Sequence, residues 1–300
     1  MKTIGIIGLG SIGMRHAKNL IEMGHHVIGH DPDKEKSRQL ATAGGIEWDG
    51  SIEEQELDGI VIASPSERHY HDIIECITDL VPFLVEKPIA TAPMPENMKE
   101  PLKHYFSRLP HMVGYNLRFH SCVKKAKEWL PRIGDIQWAN FTLGQYSEKP
   151  PYLRDGVILN WSHEIDLALY LLGPAKVMNS TTRIAEGADD ITDIMLWHQR
   201  DISSHVHLDY VTNPDVRSFF IAGTLGNISA DLKRRQVHFE GSKERPEHYS
   251  GFDSWNDNYI EEMQAFIDRV DGKETLGCTA EEALRVLDIC LEVRKQAGLT

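Results

Sequence analysis

Short apolar runs alternate with segments of helical periodicity over the first 118 residues of the chain. The apolar runs lie at residues 3–8, 27–28, 59–63, 83–86 and 112–115, and the helical segments at residues 11–23, 34–43, 67–78 and 96–107. A short run that is apolar at nearly every position is typical of a strand buried on both faces. Strands that alternate with helices in this way predict a parallel, doubly wound sheet that is covered on both faces.

The pattern changes after residue 118 to longer runs in which apolar and polar positions alternate. These runs lie at residues 136–146, 176–185, 191–198, 202–211, 217–223, 227–232 and 235–240. They predict antiparallel strands, with tight connections at residues 199–201 and 225–227. Helical segments interrupt or follow them near residues 158–172, 254–270 and 279–295. We therefore predict an α/β domain over residues 1–118 and an α+β domain with a large, predominantly antiparallel sheet over residues 119–300.

Composition and charge narrow the class of protein. The chain is 41% hydrophobic and 26% charged, an ordinary globular composition. With 32 Lys and Arg against 45 Asp and Glu, the formal net charge is −13, which argues against nucleic acid or an anionic membrane as a partner. The four cysteines form no CxxC pair, and no run approaches the ~18 apolar residues of a membrane span. These features predict a cytoplasmic protein.

A glycine-rich turn follows the first predicted strand and opens the first helix. Gly8 allows a tight turn, Gly10 lets the backbone approach a pyrophosphate, and Gly13 lets the helix pack against the strand. Ser11 and Ile12 begin the helix, whose free N–H groups and partial positive charge suit phosphate. We therefore predict that the first domain is a Rossmann domain that binds a dinucleotide.

Asp31 lies 18 residues beyond Gly13, at the end of the second predicted strand. A carboxylate there can accept hydrogen bonds from the adenosine ribose hydroxyls and repels a 2′-phosphate, so NAD is favoured over NADP. The alternative is that Asp31 only caps the following helix.

Three further segments resemble one enzyme family. They are Glu86-Lys87-Pro88, the segment Gly114–Phe119 and the segment Asn160–Asp166, and they accompany Arg15-His16 after the glycine turn. Together these motifs are similar to those of the Gfo/Idh/MocA oxidoreductases. The resemblance implies a two-domain fold with the nicotinamide at the domain cleft. It also implies hydride transfer between nicotinamide and a secondary alcohol or ketone of a sugar, sugar derivative or cyclitol.

The resemblance implies catalytic roles for Lys87 and His163, which match the family's lysine and histidine. Many relatives carry an aspartate three or four residues before that histidine, where this chain has Leu159 and Asn160. Oxidation of an alcohol needs a base at the hydroxyl, and His163 is the side chain of its segment that titrates near neutral pH. Lys87 stabilises the developing alkoxide or shares its proton, and Asn160 orients the hydroxyl without accepting a proton. The structural alternatives are that Lys87 is simply exposed to solvent and that His163 is a core histidine whose ring nitrogens are hydrogen-bonded within the protein.

The same resemblance places further residues beside the cofactor. Ser64, Pro65 and His69 are expected near the ribose or the nicotinamide, although Ser64-Pro65 can instead be a helix cap. The remaining predicted cofactor contacts are Glu86, Lys87 and Asn116.

The predicted substrate contacts include three residues outside the catalytic set. Arg118 ends the last strand of the first domain and faces the substrate, or it forms a salt bridge at the domain junction. Tyr152 and Arg154 belong to a proline-bearing segment just before the helix that carries His163, and a plain surface loop is the alternative there. Lys87, Asn160 and His163 are expected to touch the substrate as well.

His205 and His207 project from the same face of a predicted strand. No cysteine or carboxylate cluster with metal-ligand spacing accompanies them, and hydride transfer to nicotinamide requires no metal, so we predict no metal site. The open sheet face that carries them is expected to meet another subunit, giving a homodimer or a homotetramer through the C-terminal sheet.

Two functional alternatives remain at this point. The enzyme could reduce a ketosugar or a sugar-nucleotide intermediate. The chain could instead be a non-catalytic, NAD-sensing regulatory protein, because a fold does not determine a function.

Overall fold

The computed structural model describes residues 1–52, 56–147, 156–252 and 254–299. The chain divides into two compact units. The first contains residues 1–119 and 255–284, and the second contains residues 120–254 and 285–300.

A six-stranded parallel sheet forms the centre of the first unit, in the order β3-β2-β1-β4-β5-β6. The strands are β1 Thr3–Ile7, β2 His26–His30, β3 Ile46–Glu47, β4 Gly59–Ile62, β5 Phe83–Glu86 and β6 His111–Gly114. This is the strand order of a doubly wound dinucleotide-binding sheet. All residues of β4 and β6 are buried, as the uninterrupted apolar runs predict.

Five helices belong wholly to the described part of the first unit. They are α1 Ser11–Glu22, α2 Lys34–Thr42, α3 His69–Thr78, α4 Glu96–Phe106 and α8 Asp257–Val270. Asp33 caps α2, because its side chain accepts a hydrogen bond from the Glu35 N–H. The connections after β1, β2, β4, β5 and β6 leave the carboxyl edge of the sheet, which is where such folds bind ligands.

The first unit differs from the predicted continuous domain over residues 1–118, because α8 returns to it from late in the chain. Met263 and Phe266 of α8 are buried in the same apolar core as Ile4 and Leu84 of the sheet. The helix packs on α1, on β6 and on the 3-10 helix Asn116–Phe119. Burial of this apolar face assigns residues 255–284 to the first unit, and not to the predicted second domain.

An eight-stranded sheet forms the second unit, in the order β14-β13-β12-β11-β7-β10-β9-β8. The strands are β7 Ile136–Gly144, β8 Ala175–Ala185, β9 Ala188–His198, β10 Ser203–Asp209, β11 Val216–Gly223, β12 Gly226–Asp231, β13 Gln236–Gly241 and β14 Glu247–Ser250. Only the pair β7–β10 is parallel among the described pairs of this sheet. The predicted fold class, a Rossmann domain followed by a unit with a large, mostly antiparallel sheet, is confirmed. Strand β14 was not predicted.

Helices cover one face of the second sheet. They are α5 Ser121–Trp129, α6 Val157–Asn160 and α7 His163–Leu172, and the helix α9 Ala280–Gln296 begins in the first unit and continues in the second. The single helix predicted over residues 158–172 is two helices, because Trp161 leaves the helical conformation at φ −112° and ψ 34°. As a result, His163 stands at the first position of α7.

Two observations concern membrane-spanning helices and disulfide bonds. Within the described ranges, we find no helix with the length and apolar character that a membrane crossing requires. All four cysteines are free and buried.

Candidate active site

The turn between β1 and α1 has the geometry that its glycines predict. Gly8 has φ +87°, and its N–H donates to the His30 carbonyl at 2.8 Å. A Cβ atom at Gly8 would lie 2.5 Å from the Ala63 carbonyl oxygen, and a Cβ atom at Gly13 would collide with the Gly8 carbonyl. The packing of the protein itself therefore requires glycine at both positions.

Gly10 is different, because nothing in the described protein requires glycine there. Its φ of −66° suits any residue, and no described heavy atom lies within 4 Å of a Cβ atom built on it. The helix α1 begins next to it at Ser11, with Ile12 in the first turn, and no described side chain caps its first N–H groups. Open space beside uncapped helix N–H groups suits a pyrophosphate, so the residues of this turn fit a dinucleotide.

Asp31 follows β2 and is only 6% exposed. Its Oδ2 accepts the Leu9 N–H at 2.8 Å, and its Oδ1 accepts the Asp33 N–H at 2.9 Å. Burial alone would raise the pKa of Asp31, but these two N–H groups and the Lys36 ammonium, 3.3 Å from Oδ2, lower the pKa below its usual value. Asp31 is therefore an ionised anchor for the glycine turn, and its remaining lone pairs can accept ribose hydroxyls.

Ser64 and Pro65 follow β4 at the same edge of the sheet. Ser64 Oγ donates to Asp72 Oδ2 at 2.5 Å, and α3 begins only at His69, with no side-chain cap. Ser64 therefore does not cap α3, and the helix-cap alternative is wrong. Asp72 was missed by the sequence analysis, since an aspartate in the first turn of a helix is ordinarily solvent-exposed.

His69 is buried and joins two of the predicted motifs. Its Nδ1 lies 2.7 Å from the Pro88 carbonyl oxygen, and its Nε2 lies 2.9 Å from the Ser64 carbonyl oxygen. Both ring nitrogens therefore contact the backbone, and His69 links the end of β4 to the Glu-Lys-Pro turn.

Glu86 ends β5, and Lys87 follows it in a half-buried position. Glu86 Oε1 lies 2.7 Å from His16 Nε2, and Glu86 Oε2 accepts the Lys87 N–H at 3.2 Å. A Cβ atom at Gly114 would lie 2.9 Å from the Glu86 carboxyl carbon, so the glycine leaves room for this carboxylate. The Glu-Lys-Pro turn is thus held at Glu86 by His16 and at Pro88 by His69.

Asn116 and Arg118 lie in the 3-10 helix that follows β6, and both are buried. The Asn116 side chain hydrogen-bonds to Tyr259. Arg118 donates to Glu282 Oε2 at 3.0 Å and to the Gly277 carbonyl at 3.2 Å. Burial alone would raise the pKa of Glu282, but the Arg118 charge and hydrogen bonds from Arg118 and Thr279 lower it overall. The ion pair that was one alternative for Arg118 is therefore present, and it lies within the first unit.

Asn160 ends α6 in the second unit. Its Nδ2 donates to the Tyr210 hydroxyl at 2.7 Å, and the Trp161 ring meets the Tyr210 ring edge to face, with centroids 4.3 Å apart. Tyr210 directly follows β10 and is buried. This partner could not be predicted from the sequence, because Tyr210 lies 50 residues from Asn160.

Two buried acids hold the helices that carry Asn160 and His163. Asp189 Oδ2 accepts the Ile158 N–H at 2.8 Å, which anchors the start of α6. Burial raises the pKa of Asp189, and the Ile158 N–H offsets part of that effect. Glu164, which follows His163 in α7, forms a buried bidentate pair with Arg217 of β11 at 2.6 and 3.1 Å. A buried pair with both partners in place fixes the orientation of α7.

The predicted catalytic residues are distributed over the two units. Lys87 belongs to the first unit, and Asn160 and His163 belong to the second. The predicted substrate residues Tyr152 and Arg154 fall within residues 148–155, outside the described residues.

The histidine pair of β10 is engaged by acidic side chains. Asp193 Oδ1 lies 2.9 Å from His205 Nε2 and 2.7 Å from His207 Nδ1, and Asp209 Oδ2 lies 2.9 Å from His207 Nε2. Burial alone would lower the pKa of His207, but the hydrogen bonds to Asp193 and Asp209 raise it overall.

Comparison with known proteins adds family information to this geometry. Residues 2–109 match the family model described as "Oxidoreductase family, NAD-binding Rossmann fold". Residues 133–297 match the model of the same family's C-terminal alpha/beta domain. These matches confirm the family that the sequence motifs resemble and confirm NAD as the cofactor.

Individual relatives match the chain over more than half of its length. It is 27% identical to inositol 2-dehydrogenase 2 of Saccharopolyspora erythraea, over 96% of this chain and 91% of that protein. It is 30% identical to the scyllo-inositol 2-dehydrogenase (NAD(+)) of Bacillus subtilis, over 56% of this chain and 53% of that protein. The fold matches the solved UDP-N-acetylglucosamine 3-dehydrogenase of Acidithiobacillus ferrooxidans with a TM-score of 0.85, at 19% identity, over 98% of this chain and 97% of that chain.

Proposed function

Because the chain belongs to the Gfo/Idh/MocA family of oxidoreductases with an NAD-binding Rossmann domain, we propose that it oxidises a secondary alcohol of a cyclitol or a related polyol. One observation carries the substrate class: a relative matched over 96% of this chain is an inositol 2-dehydrogenase. Relatives that are dehydrogenases favour an enzyme over a regulatory NAD sensor.

NAD, when bound, supplies the acceptor for the hydride. Gly10 and the first turn of α1 bind the pyrophosphate, and Asp31 holds the adenosine ribose and excludes a 2′-phosphate. Ser64, Pro65 and Asn116 complete the proposed cofactor contacts from the carboxyl edge of the sheet, and His69 supports Ser64 and Pro88 through their carbonyl groups. This part of the proposal is supported by the uncapped start of α1 and by the open space at Gly10.

The chemical roles follow the family motifs. His163 takes the hydroxyl proton, because an imidazole titrates near neutral pH. Lys87 places its positive charge where the alkoxide develops. Asn160 donates a hydrogen bond that orients the substrate, and the Tyr210 hydroxyl holds its amide. Tyr152 and Arg154 remain proposed substrate contacts, whereas Arg118 is buried in its ion pair with Glu282.

The substrate class is tested by measuring NADH formation with a panel of polyols, sugars and sugar nucleotides. We expect turnover with inositols, and with NADP in place of NAD we expect at least about tenfold lower kcat/KM, since the Asp31 carboxylate repels a 2′-phosphate. Turnover confined to sugar nucleotides would replace the cyclitol assignment with the sugar-nucleotide alternative. A preference for NADP would overturn the role of Asp31.

We also propose that the open face of the second sheet binds a second copy of this chain. Three large apolar side chains project from this face, with exposed fractions of 47% for Trp138, 43% for Met195 and 44% for Trp197. The centroids of the Trp138 and Phe220 rings lie 5.2 Å apart. Large apolar side chains clustered on an extended sheet face are more typical of a subunit interface than of a surface in water. A homodimer or a homotetramer built on this face follows.

Replacing Trp138 with Glu tests this interface. We expect the variant to sediment as a smaller species than the wild type in analytical ultracentrifugation, because an ionised carboxylate would be buried at the centre of the contact. Leu225→Glu is the matched control, since Leu225 is 49% exposed but lies in the turn between β11 and β12. Equal sedimentation of the wild type and Trp138→Glu would exclude this face as the interface.

A reducing compartment, the cytoplasm, is part of the proposal. The four cysteines are free and buried, and burial raises the pKa of the Cys76 thiol, which keeps it unreactive. Free buried thiols of this kind are typical of proteins that fold without disulfides.

A further inference from the structure

A cluster of three titratable side chains adjoins the Glu-Lys-Pro turn inside the first unit. We call it the His16 cluster, and it consists of His16 from α1, Glu86 from β5 and Glu262 from α8. His16 and Glu262 have no exposed surface, and the cluster's candidate ligating atoms all lie within 4.8 Å of one another. Neither the catalytic nor the cofactor roles proposed above account for Glu262.

Two carboxylates this close cannot both be ionised in a buried place without a large cost. Glu86 has the partners of an anion, since it contacts His16 Nε2 and accepts the Lys87 N–H. Glu262 is the opposite case, because neither of its oxygens has a hydrogen-bond partner among the described residues. Burial, and then the nearby Glu86 charge, raise the pKa of Glu262 well above its usual value. The proton of the pair therefore resides on Glu262.

The groups around the cluster are consistent with one negative charge. The Tyr259 ring stands edge-on to His16 at 5.7 Å, and the Arg15 guanidinium lies 4.6 Å from the centre of the Tyr259 ring. Burial, and then the Glu86 charge, raise the pKa of Tyr259 to about 12, so the phenol is neutral. Asn116 hydrogen-bonds to the same phenol from the segment after β6 and adds no charge. Arg15 is thus a cation beside the Tyr259 ring, and its charge lowers the pKa of Tyr259 where the Glu86 charge raises it.

A bound metal ion does not suit this geometry. His16 Nε2 and Glu86 Oε1 are 2.7 Å apart, which is a direct hydrogen bond. Two ligands of one tetrahedral zinc ion, each at about 2.0–2.1 Å, are held roughly 3.3 Å apart. A hydrogen bond between His16 Nε2 and Glu86 Oε1 explains the shorter distance.

We propose that His16 fixes the Glu86 carboxylate through its hydrogen bond, and that the neighbouring Glu262 is a neutral carboxylic acid, which leaves Glu86 as the one charged carboxylate that positions Lys87 for catalysis. His16 is then a positioning residue, which acts on the reaction only through Glu86. The protonation of Glu262 is independent of the proposed function, whereas the effect of His16 on turnover rests on Lys87 being catalytic.

Infrared spectroscopy of the purified full-length protein tests the proton. We expect a carbonyl band of a buried carboxylic acid at neutral pH that disappears in Glu262→Gln. Glu22→Gln is the control, because Glu22 is exposed at the end of α1 and should leave the band unchanged. A wild-type spectrum without this band would overturn the proposal, and it would do so whether or not any polyol is a substrate.

Kinetics test the positioning role. His16→Gln keeps a hydrogen-bond donor for Glu86 and should retain kcat within about twofold, whereas His16→Leu should lower kcat about tenfold with an unchanged dissociation constant for NAD. A purely structural role predicts no such rescue, since an apolar replacement of a buried polar group keeps or improves packing. Thermal unfolding verifies that both variants are folded. Equal kcat for the Leu variant and the wild type would overturn the positioning role.

Discussion

Replacing Lys87 with Met should lower kcat by about a thousandfold or more while NAD still binds. The Met side chain keeps the length and apolar stem of lysine but removes the ammonium. Without that charge, the alkoxide that develops on the substrate loses a preorganised electrostatic partner, and such a partner contributes about 3–4 kcal/mol to transition-state stabilisation. Steady-state kinetics on the best polyol, together with calorimetric NAD binding, measures both parts of the expectation.

The matched control for this variant is Lys18→Met. Lys18 is an exposed lysine of α1, in the same unit as Lys87 and outside the proposed site, so its replacement should leave kcat within about twofold. Comparable unfolding temperatures for the two variants would show that the loss belongs to the chemistry. A Lys87→Met enzyme that turns over like the control would remove Lys87 from the catalytic set.

Features that depend on neighbouring residues could be predicted from the sequence. The roles of Gly8 and Gly13 follow from a turn between one strand and the next helix, and the contacts that exclude a Cβ atom there lie at the ends of β1 and β4. The parallel, doubly wound sheet follows in the same way, because strands that alternate with helices have few ways to wind into one sheet. The glycine turn and the parallel sheet could therefore be predicted from the sequence.

Features that depend on distant residues could not be derived in this way. The periodicity of residues 254–270 predicts a helix, but it does not say which of two apolar cores the helix buries, and α8 packs in the first. Glu86 and His16 each belong to a motif that the sequence shows, but neither motif predicts the hydrogen bond between them, because the two residues lie 70 positions apart. The hydrogen bond between Asn160 and Tyr210 is another contact between residues far apart in the sequence. Such pairings depend on tertiary packing, which a single sequence does not specify.

Replacing Gly10 with Ala should weaken NAD binding about a hundredfold without lowering the stability of the protein. A Cβ atom at Gly10 meets no described protein atom, and φ −66° costs an alanine nothing. The added methyl group occupies the space through which the pyrophosphate approaches the backbone, which corresponds to a loss of about 2.7 kcal/mol in binding. Thermal unfolding of the ligand-free protein and calorimetric titration with NAD measure the two quantities separately.

Gly24→Ala is the control with the opposite pattern. A Cβ atom at Gly24 also meets no described atom, but the residue has φ +83° at the end of α1, so alanine there should cost about 1 kcal/mol of stability. Gly24 lies at the far end of α1 from the glycine turn, and its replacement should leave the NAD dissociation constant unchanged. We expect Gly10→Ala to lose NAD binding but not stability, and Gly24→Ala to lose stability but not NAD binding. This result would show that glycine at position 10 is needed for the pyrophosphate and not for the fold. If Gly10→Ala bound NAD as tightly as the wild type, the pyrophosphate could not lie against this residue, and the open space at Gly10 would need another explanation.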